Sequence, residues 1–229
     1  MKIKLSILAV ASVVAFSAQA GFVGAGYNWN NSSSSVKGKP VGIVKGVLEI
    51  AGISRNQDNK AKIHPAFALT SRKCPPFCIQ PTHPFWPAKV DTISELDMIY
   101  AARDVANGDK TKLLMDNRTP VWTSAKKGGT MPHSVNIPFN TINGKAVAKD
   151  PDAVIDILIK RFGVMDNGSG ILDFSKAKTL YMFCNGAWCG QSPAGIRALL
   201  KLGYPDSKLK YYRGGMNAWH RFGLSTVSK

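Results

Sequence analysis

The feature that most limits how this 229-residue chain can fold is the alternation of short apolar runs with helix-period segments after residue 90. LLMD at 113–116 and TLYMFC at 179–184 are too short for buried helices and have the length of buried strands. Between them, Asp150 followed by Pro151 opens a helix whose Val154, Ile155, Leu158, Ile159 and Phe162 recur on one side. A first helix is expected from Thr92, with Thr92 as N-cap, Glu95 reaching back to it, and Ile93, Leu96, Ile99 and Tyr100 at helical spacing. Ser192 and Pro193 form an N-cap and first-turn proline pair before AGIRALLKLGY. A last strand over 208–215 precedes a short helix from Met216 to Arg221. Strand and helix alternate, so the expected fold is α/β, a doubly wound parallel sheet with helices on both faces. In such sheets, reactive groups gather at the carboxyl ends of strands. Cys184 ends one.

The chain upstream of residue 90 follows other rules. Lys2 and Lys4, an apolar run from Leu5 to Phe16 and the small-x-small pattern Ala18-Gln19-Ala20 predict a signal peptide over 1–20, cleaved before Gly21. The run is too short for a membrane span, and no later segment approaches the ~20 apolar residues a span needs. A periplasmic location follows as the expectation. Residues 21–38, rich in Gly, Asn and Ser, hold too few large apolar groups to offset chain entropy and are expected as a flexible lead-in. Residues 39–89 form an irregular, partly β N-terminal extension, with one or two strands in VGIVKGVLEIAGI and a Pro-rich stretch containing CPPFC at 74–78.

The formal charge is +16, or +14 without Lys2 and Lys4. Such a bias favours small anions or an acidic protein surface by raising encounter rates. The lysines are scattered and form no basic-aromatic stripe, so nucleic acid is not an expected partner.

Export places Cys74, Cys78, Cys184 and Cys189 where disulfides persist. Cys74 and Cys78, stiffened by two prolines, are a candidate structural disulfide, with a second redox couple as the alternative. His64 and His83 lie near in sequence, but the spacing is not that of a zinc finger and CxxCH is absent, so no metal and no cofactor is expected. The other pair frames the loop Asn185, Gly186, Ala187, Trp188, Cys189, Gly190, Gln191 and Ser192. Its glycines let backbone amides turn inward, and the helix start that follows adds unpaired N–H groups, an environment that stabilises a thiolate or a persulfide.

These segments resemble the rhodanese-like domain family over residues 90–226. The matching text is LLMDNRT at 113–119, GTMPHSVNIP at 129–138, YMFC at 181–184, LLKLGY at 199–204 and YYRGGMNAW at 211–219. The resemblance implies Cys184 as a catalytic cysteine that takes sulfane sulfur from an anionic donor such as thiosulfate and passes it to a thiol or protein acceptor. It also implies that Asp116 and Arg118, on the family's Asp-x-Arg pattern, brace loops near the site. Gly214, Gly215 and Trp219 match packing elements of the last turn and helix.

Three departures stand out. Cys189 occupies a position where many rhodaneses carry Arg, Thr or Ser, the loop is about two residues longer, and Thr130 and His133 replace the family's His and Gly. Trp188 has no family counterpart; it either walls the pocket or covers an apolar edge. His133 is a candidate anion contact. Gly190 stands where related phosphatases need an arginine, and Arg197 is out of register, so phosphatase chemistry is excluded.

Three roles stay open for the loop pair. Cys189 attacks a Cys184 persulfide, or only shapes the loop while Cys184 serves an external acceptor, or the two form a resting disulfide in a redox or binding module. The longer loop also leaves Cys189 open as the nucleophile.

Overall fold

The computed structural model describes residues 42–44, 47, 49–69, 71–168 and 171–229, which lie in one compact unit, Val36–Lys229. The expected signal peptide and lead-in fall outside the described residues. The elements in chain order are β1 (Glu49–Ile50), β2 (Ile53–Ser54), β3 (Asp91–Ile93), α1 (Glu95–Ala106), β4 (Lys112–Asp116), β5 (Val135–Asn136), α2 (Gly144–Lys149), α3 (Pro151–Phe162), β6 (Met165–Asp166), β7 (Leu172–Asp173), β8 (Thr179–Phe183), α4 (Gln191–Lys201), β9 (Leu209–Tyr212) and α5 (Gly215–Arg221).

Among the described residues, five strands form one parallel sheet in the order β3-β9-β8-β4-β5. The expected α/β fold is therefore present. Side chains alternate across β8, and each side has its own core. Leu180 and Met182 pack with Leu158 and Phe162 of α3 and Ile196 and Leu199 of α4. On the other face Phe183 packs with Met98 and Ile99 of α1 and Met216 and Trp219 of α5. Helices thus cover both faces, and the central strand β8 delivers Cys184 at its carboxyl end.

The end signals of α3 behave as the sequence indicates. The Asp150 carboxylate accepts from the Ala153 amide at 3.0 Å, Pro151 occupies the first turn, and Gly163 closes the helix with φ 73°. Two expected starts are displaced. Thr92 is not an N-cap: it lies in β3, paired with Tyr211 of β9, and Ser94 caps α1 with the Asp97 carboxylate accepting from its amide at 2.8 Å. The text contains both S/T-x-x-D/E frames, and parallel pairing of 91–93 decides between them. Glu95 instead accepts from the Tyr212 hydroxyl at 2.8 Å. Likewise α4 begins at Gln191 with Gly190 as its cap, so Ser192 sits inside the first turn with its hydroxyl free for another partner.

The extension is not an appendage. β1 and β2 pair as a short antiparallel hairpin, Arg55 bridges Leu224, and Ile53 and Phe67 are buried in the same core as Met98 and Trp219. The Phe67 ring stacks on His220 at 4.8 Å, with His64 5.6 Å from the same imidazole.

Burial, reinforced by the neighbouring His64, pushes His220 down to about 4. Between pH 6.5 and 4 the unfolded chain therefore binds a proton that the folded chain refuses, and stability falls as pH drops through that window. Urea titrations across it are expected to show this loss in the wild type and a flatter profile in His220→Phe. An unchanged profile in the variant contradicts the assignment.

Candidate functional site

The loop after β8 is shaped by α5. The amides of Met216 and Asn217 donate to the carbonyls of Cys184 and Asn185, each at 2.9 Å. Those carbonyls turn outward, which leaves the loop amides facing inward. The approach is close enough to require glycine at Gly215: its φ is 55°, and a β-carbon there lies 2.4 Å from the Cys184 carbonyl oxygen and 2.7 Å from the Gly186 nitrogen. The match of Gly215 to a packing position acquires a physical reason.

Both loop cysteines are free thiols and buried, Cys184 at 2% exposure and Cys189 at 6%. Their surroundings separate them. Burial alone raises the Cys184 thiol, but the Cys189 side chain, the Ser192 hydroxyl and amide, and the Gly186 amide outweigh it and bring Cys184 down to about 7. Ser192 is fully buried, its hydroxyl has no hydrogen-bond partner, and together with its amide it acts to draw the Cys184 thiol down. Cys189 moves the opposite way: its hydrogen bond to Cys184, then burial and the charge of Cys184, push its thiol far up, against donation from the Gln191 and Asn185 amides. The pair shares one negative charge, and it rests on Cys184. With its proton on, Cys184 Sγ donates to the Cys189 carbonyl at 3.4 Å.

Asp116 ends β4 beside β8, and Arg118 lies two residues on; both are completely buried. Arg118 grips the Asp116 carboxylate through Nε at 2.9 Å and a second guanidinium nitrogen at 2.6 Å. The guanidinium also donates to the Gly129 carbonyl at 2.7 Å and to Asn185 Oδ1 at 3.3 Å, reaching the residue next to Cys184. Thr130 donates its hydroxyl to Asp116 at 2.6 Å. A threonine that accepts neither charge nor proton thus completes the carboxylate where the family pattern has histidine.

His133 does not approach the cysteine loop. It is exposed, its Nε2 is 2.8 Å from the Ala51 carbonyl oxygen in the β1–β2 turn, and its φ of 61° shows why glycine suits that position. Cys74 and Cys78 form a disulfide with Cα atoms 4.6 Å apart. Among the described residues no group of three or more His, Cys, Asp or Glu side chains is placed to hold a metal, and no helix is long and apolar enough to cross a membrane.

Sequence reasoning missed the segment around the disulfide as a site neighbour. Arg72 lies 4.2 Å over the Trp188 ring, Phe77 meets the same indole edge-on at 5.9 Å, and the Gln80 amide donates to the Ala187 carbonyl at 2.7 Å. Trp188 is thus the loop's attachment to the extension, packed between Arg72 and Phe77. Asn117 was also missed, although it follows Asp116: its amide donates to the Phe183 carbonyl at 2.9 Å and pins the end of β8. A cavity of about 870 Å³ lined by Lys62, His64, Pro65 and His220 includes no residue of the cysteine loop.

Alkylation of Cys184 by iodoacetamide, followed by peptide mapping, is expected to rise with a midpoint near pH 7, with Cys189 unreactive in the same range. Cys189→Ala removes a donor from the thiolate and is expected to move the midpoint upward. A wild-type midpoint near the ordinary thiol value of 9 contradicts the division of roles.

The family model described as "Rhodanese-like domain" matches residues 100–222. Among solved structures, the BH2092 protein from Bacillus halodurans is similar at 18% identity and a TM-score of 0.37, covering 61% of this chain and 77% of its own. A full-length protein from Lactobacillus plantarum is similar at 11% identity and a TM-score of 0.33, covering 56% of this chain and 83% of its own. No curated protein matches. A match spanning more than half of the sequence, on a parallel sheet whose central strand ends at a buried cysteine, makes this chain a member of the rhodanese-like domain family.

Proposed function

We propose that the protein is an exported, periplasmic sulfurtransferase of the thiosulfate class, working through a persulfide on Cys184. The observation that carries this reading is the place of Cys184: a free, buried thiol at the carboxyl end of the central strand and at the entry to α4, with the Cys189 thiol beside it, an environment that draws Cys184 down and pushes Cys189 up. Near neutral pH this gives a substantial fraction of thiolate on one defined sulfur.

The Cys184 thiolate attacks the outer sulfur of thiosulfate. The donor's S–S bond breaks, its electron pair leaves with sulfite, and the transferred sulfur remains as Cys184–S–S⁻. The charge then sits on the outer sulfur, one S–S bond beyond Sγ, where inward-facing amides of the loop and of the α4 start are placed to receive it. Asp116 and Arg118 serve as positioning residues, holding Asn185 and through it the loop. An external thiol or a protein acceptor then takes the outer sulfur.

The thiol contact favours one further step. Cys189 lies beside Cys184, so its thiol is placed to attack the inner sulfur of the persulfide as its proton passes to the departing outer sulfur. That step releases the outer sulfur as sulfide, leaves a Cys184–Cys189 disulfide, and requires an external dithiol to reopen it.

Steady-state transfer from thiosulfate to cyanide, read as thiocyanate, separates these roles. Cys184→Ser is expected to lower the rate by at least about 10³-fold, the loss typical of removing a nucleophile that works as part of a unit. Cys189→Ser is expected to retain thiocyanate formation but, loaded with sulfur and freed of external thiol, to keep its persulfide where the wild type releases sulfide. Equal activity in wild type and Cys184→Ser overturns the assignment of the nucleophile.

A further inference from the structure

The cysteine loop from Asn185 to Ser192 contains no cationic side chain. Three guanidinium groups nevertheless gather on residues 72–85, the segment that contacts the loop through Trp188 and Ala187. Arg72 belongs to that segment and lies over two rings, Trp188 at 4.2 Å and Phe77 at 5.0 Å. Arg213 follows β9 and donates Nε to the Gln80 carbonyl at 2.9 Å, while the Gln80 amide holds Ala187. Arg197, on α4, donates to the Pro84 carbonyl at 3.3 Å and lies 5.6 Å over the Phe85 ring.

Carbonyls and aromatic faces orient these cations without neutralising them. Among the described residues, none of the three is within ion-pair distance of a carboxylate. Arg72 Nε is buried with no hydrogen-bond partner. Tyr211 of β9 is fully buried, its hydroxyl unpartnered and its ring edge-on to Phe85 at 5.5 Å. After burial, its hydroxyl responds most to charge on Cys184 and Cys189, and it responds in the opposite sense to Arg213 and Arg197. The two sulfurs and these two guanidiniums therefore share one neighbourhood. Three unneutralised cations, oriented by the segment that also holds the cysteine loop, have a clear use if that loop receives an anion.

Resting on the sulfurtransferase reading, we propose that Arg72, Arg197 and Arg213 form an oxyanion-binding cluster, assembled by the N-terminal extension, that receives the sulfonate end of a thiosulfate-type donor. The cluster offsets repulsion between the donor and the Cys184 thiolate. It then holds the developing sulfite as the donor's S–S bond breaks and the electron pair passes to the leaving group. The cationic group that the loop lacks comes from outside the family's segment, residues 100–222, in the case of Arg72, and the same extension orients the other two.

The test compares alkylation of Cys184 by iodoacetate, an anion, and by iodoacetamide, its neutral counterpart, in the full chain. The ratio of the two rates reports local potential and cancels changes in access. Arg72→Gln and Arg213→Gln are each expected to lower the ratio about tenfold, the lower end of what a focused field contributes, and Arg72→Lys to recover most of it. The same Gln variants are expected to raise KM for thiosulfate by about tenfold, with kcat changed less. An unchanged ratio in both Gln variants overturns the cluster, even if sulfur transfer from thiosulfate is confirmed. A lowered ratio in a protein that takes no sulfur from thiosulfate leaves the anion site standing and sinks the sulfurtransferase reading instead.

Discussion

A carboxylate and a guanidinium, both wholly removed from water, organise the carboxyl end of the sheet. Burying two such charges costs several kcal/mol per ion, and attraction offsets this only when the remaining donors and acceptors are also used. Here they are: Arg118 spends its nitrogens on Asp116, Gly129 and Asn185, and Asp116 also accepts from Thr130 and from the Arg118 amide. The pair thereby ties the end of β4, the turn at 129–130 and the residue beside Cys184 into one geometry. Removing either partner leaves a buried charge uncompensated, at a cost of about 3–5 kcal/mol. An apolar replacement of both could fold, but would leave Asn185 without its guide.

With the loop fixed, its backbone supplies the electrostatics. Turned-out carbonyls on α5 and turned-in amides around the sulfurs are two consequences of one backbone path. Position within that path separates two chemically identical side chains. The surroundings of Cys184 favour its anion, whereas those of Cys189 favour its protonated thiol, which donates to Gln191 Oε1 at 3.7 Å. Ser192 shows the economy of the arrangement: it gives up the capping role that its sequence position suggests, and its hydroxyl serves the thiolate instead.

Much of this was legible in the sequence because the signals are local. LLMD and TLYMFC are strands, Asp150 caps α3, and Cys184 follows the central strand. Thr92 and Ser94 offered competing caps, and only the pairing of β3 with β9, which joins distant parts of the chain, decided for Ser94. Composition gave the Pro-rich extension an irregular backbone, correctly, but no local pattern connects Arg72 to Trp188 or Gln80 to Ala187. Those contacts exist because α4, β9 and the extension converge on one loop, a tertiary fact. The single hint was that Trp188 had no family counterpart: an aromatic residue added to a site loop needs a partner, and the partner lies in the segment outside the family match.

The central claim is that Cys184 is the sulfur that accepts sulfane sulfur. Intact mass spectrometry of the reduced protein before and after thiosulfate, with peptide mapping of the alkylated product, tests it most directly. The account predicts one added sulfur atom, located on Cys184, removed by an acceptor thiol and absent in Cys184→Ser. Sulfur found on Cys189, or none taken up by the fully reduced protein, contradicts it.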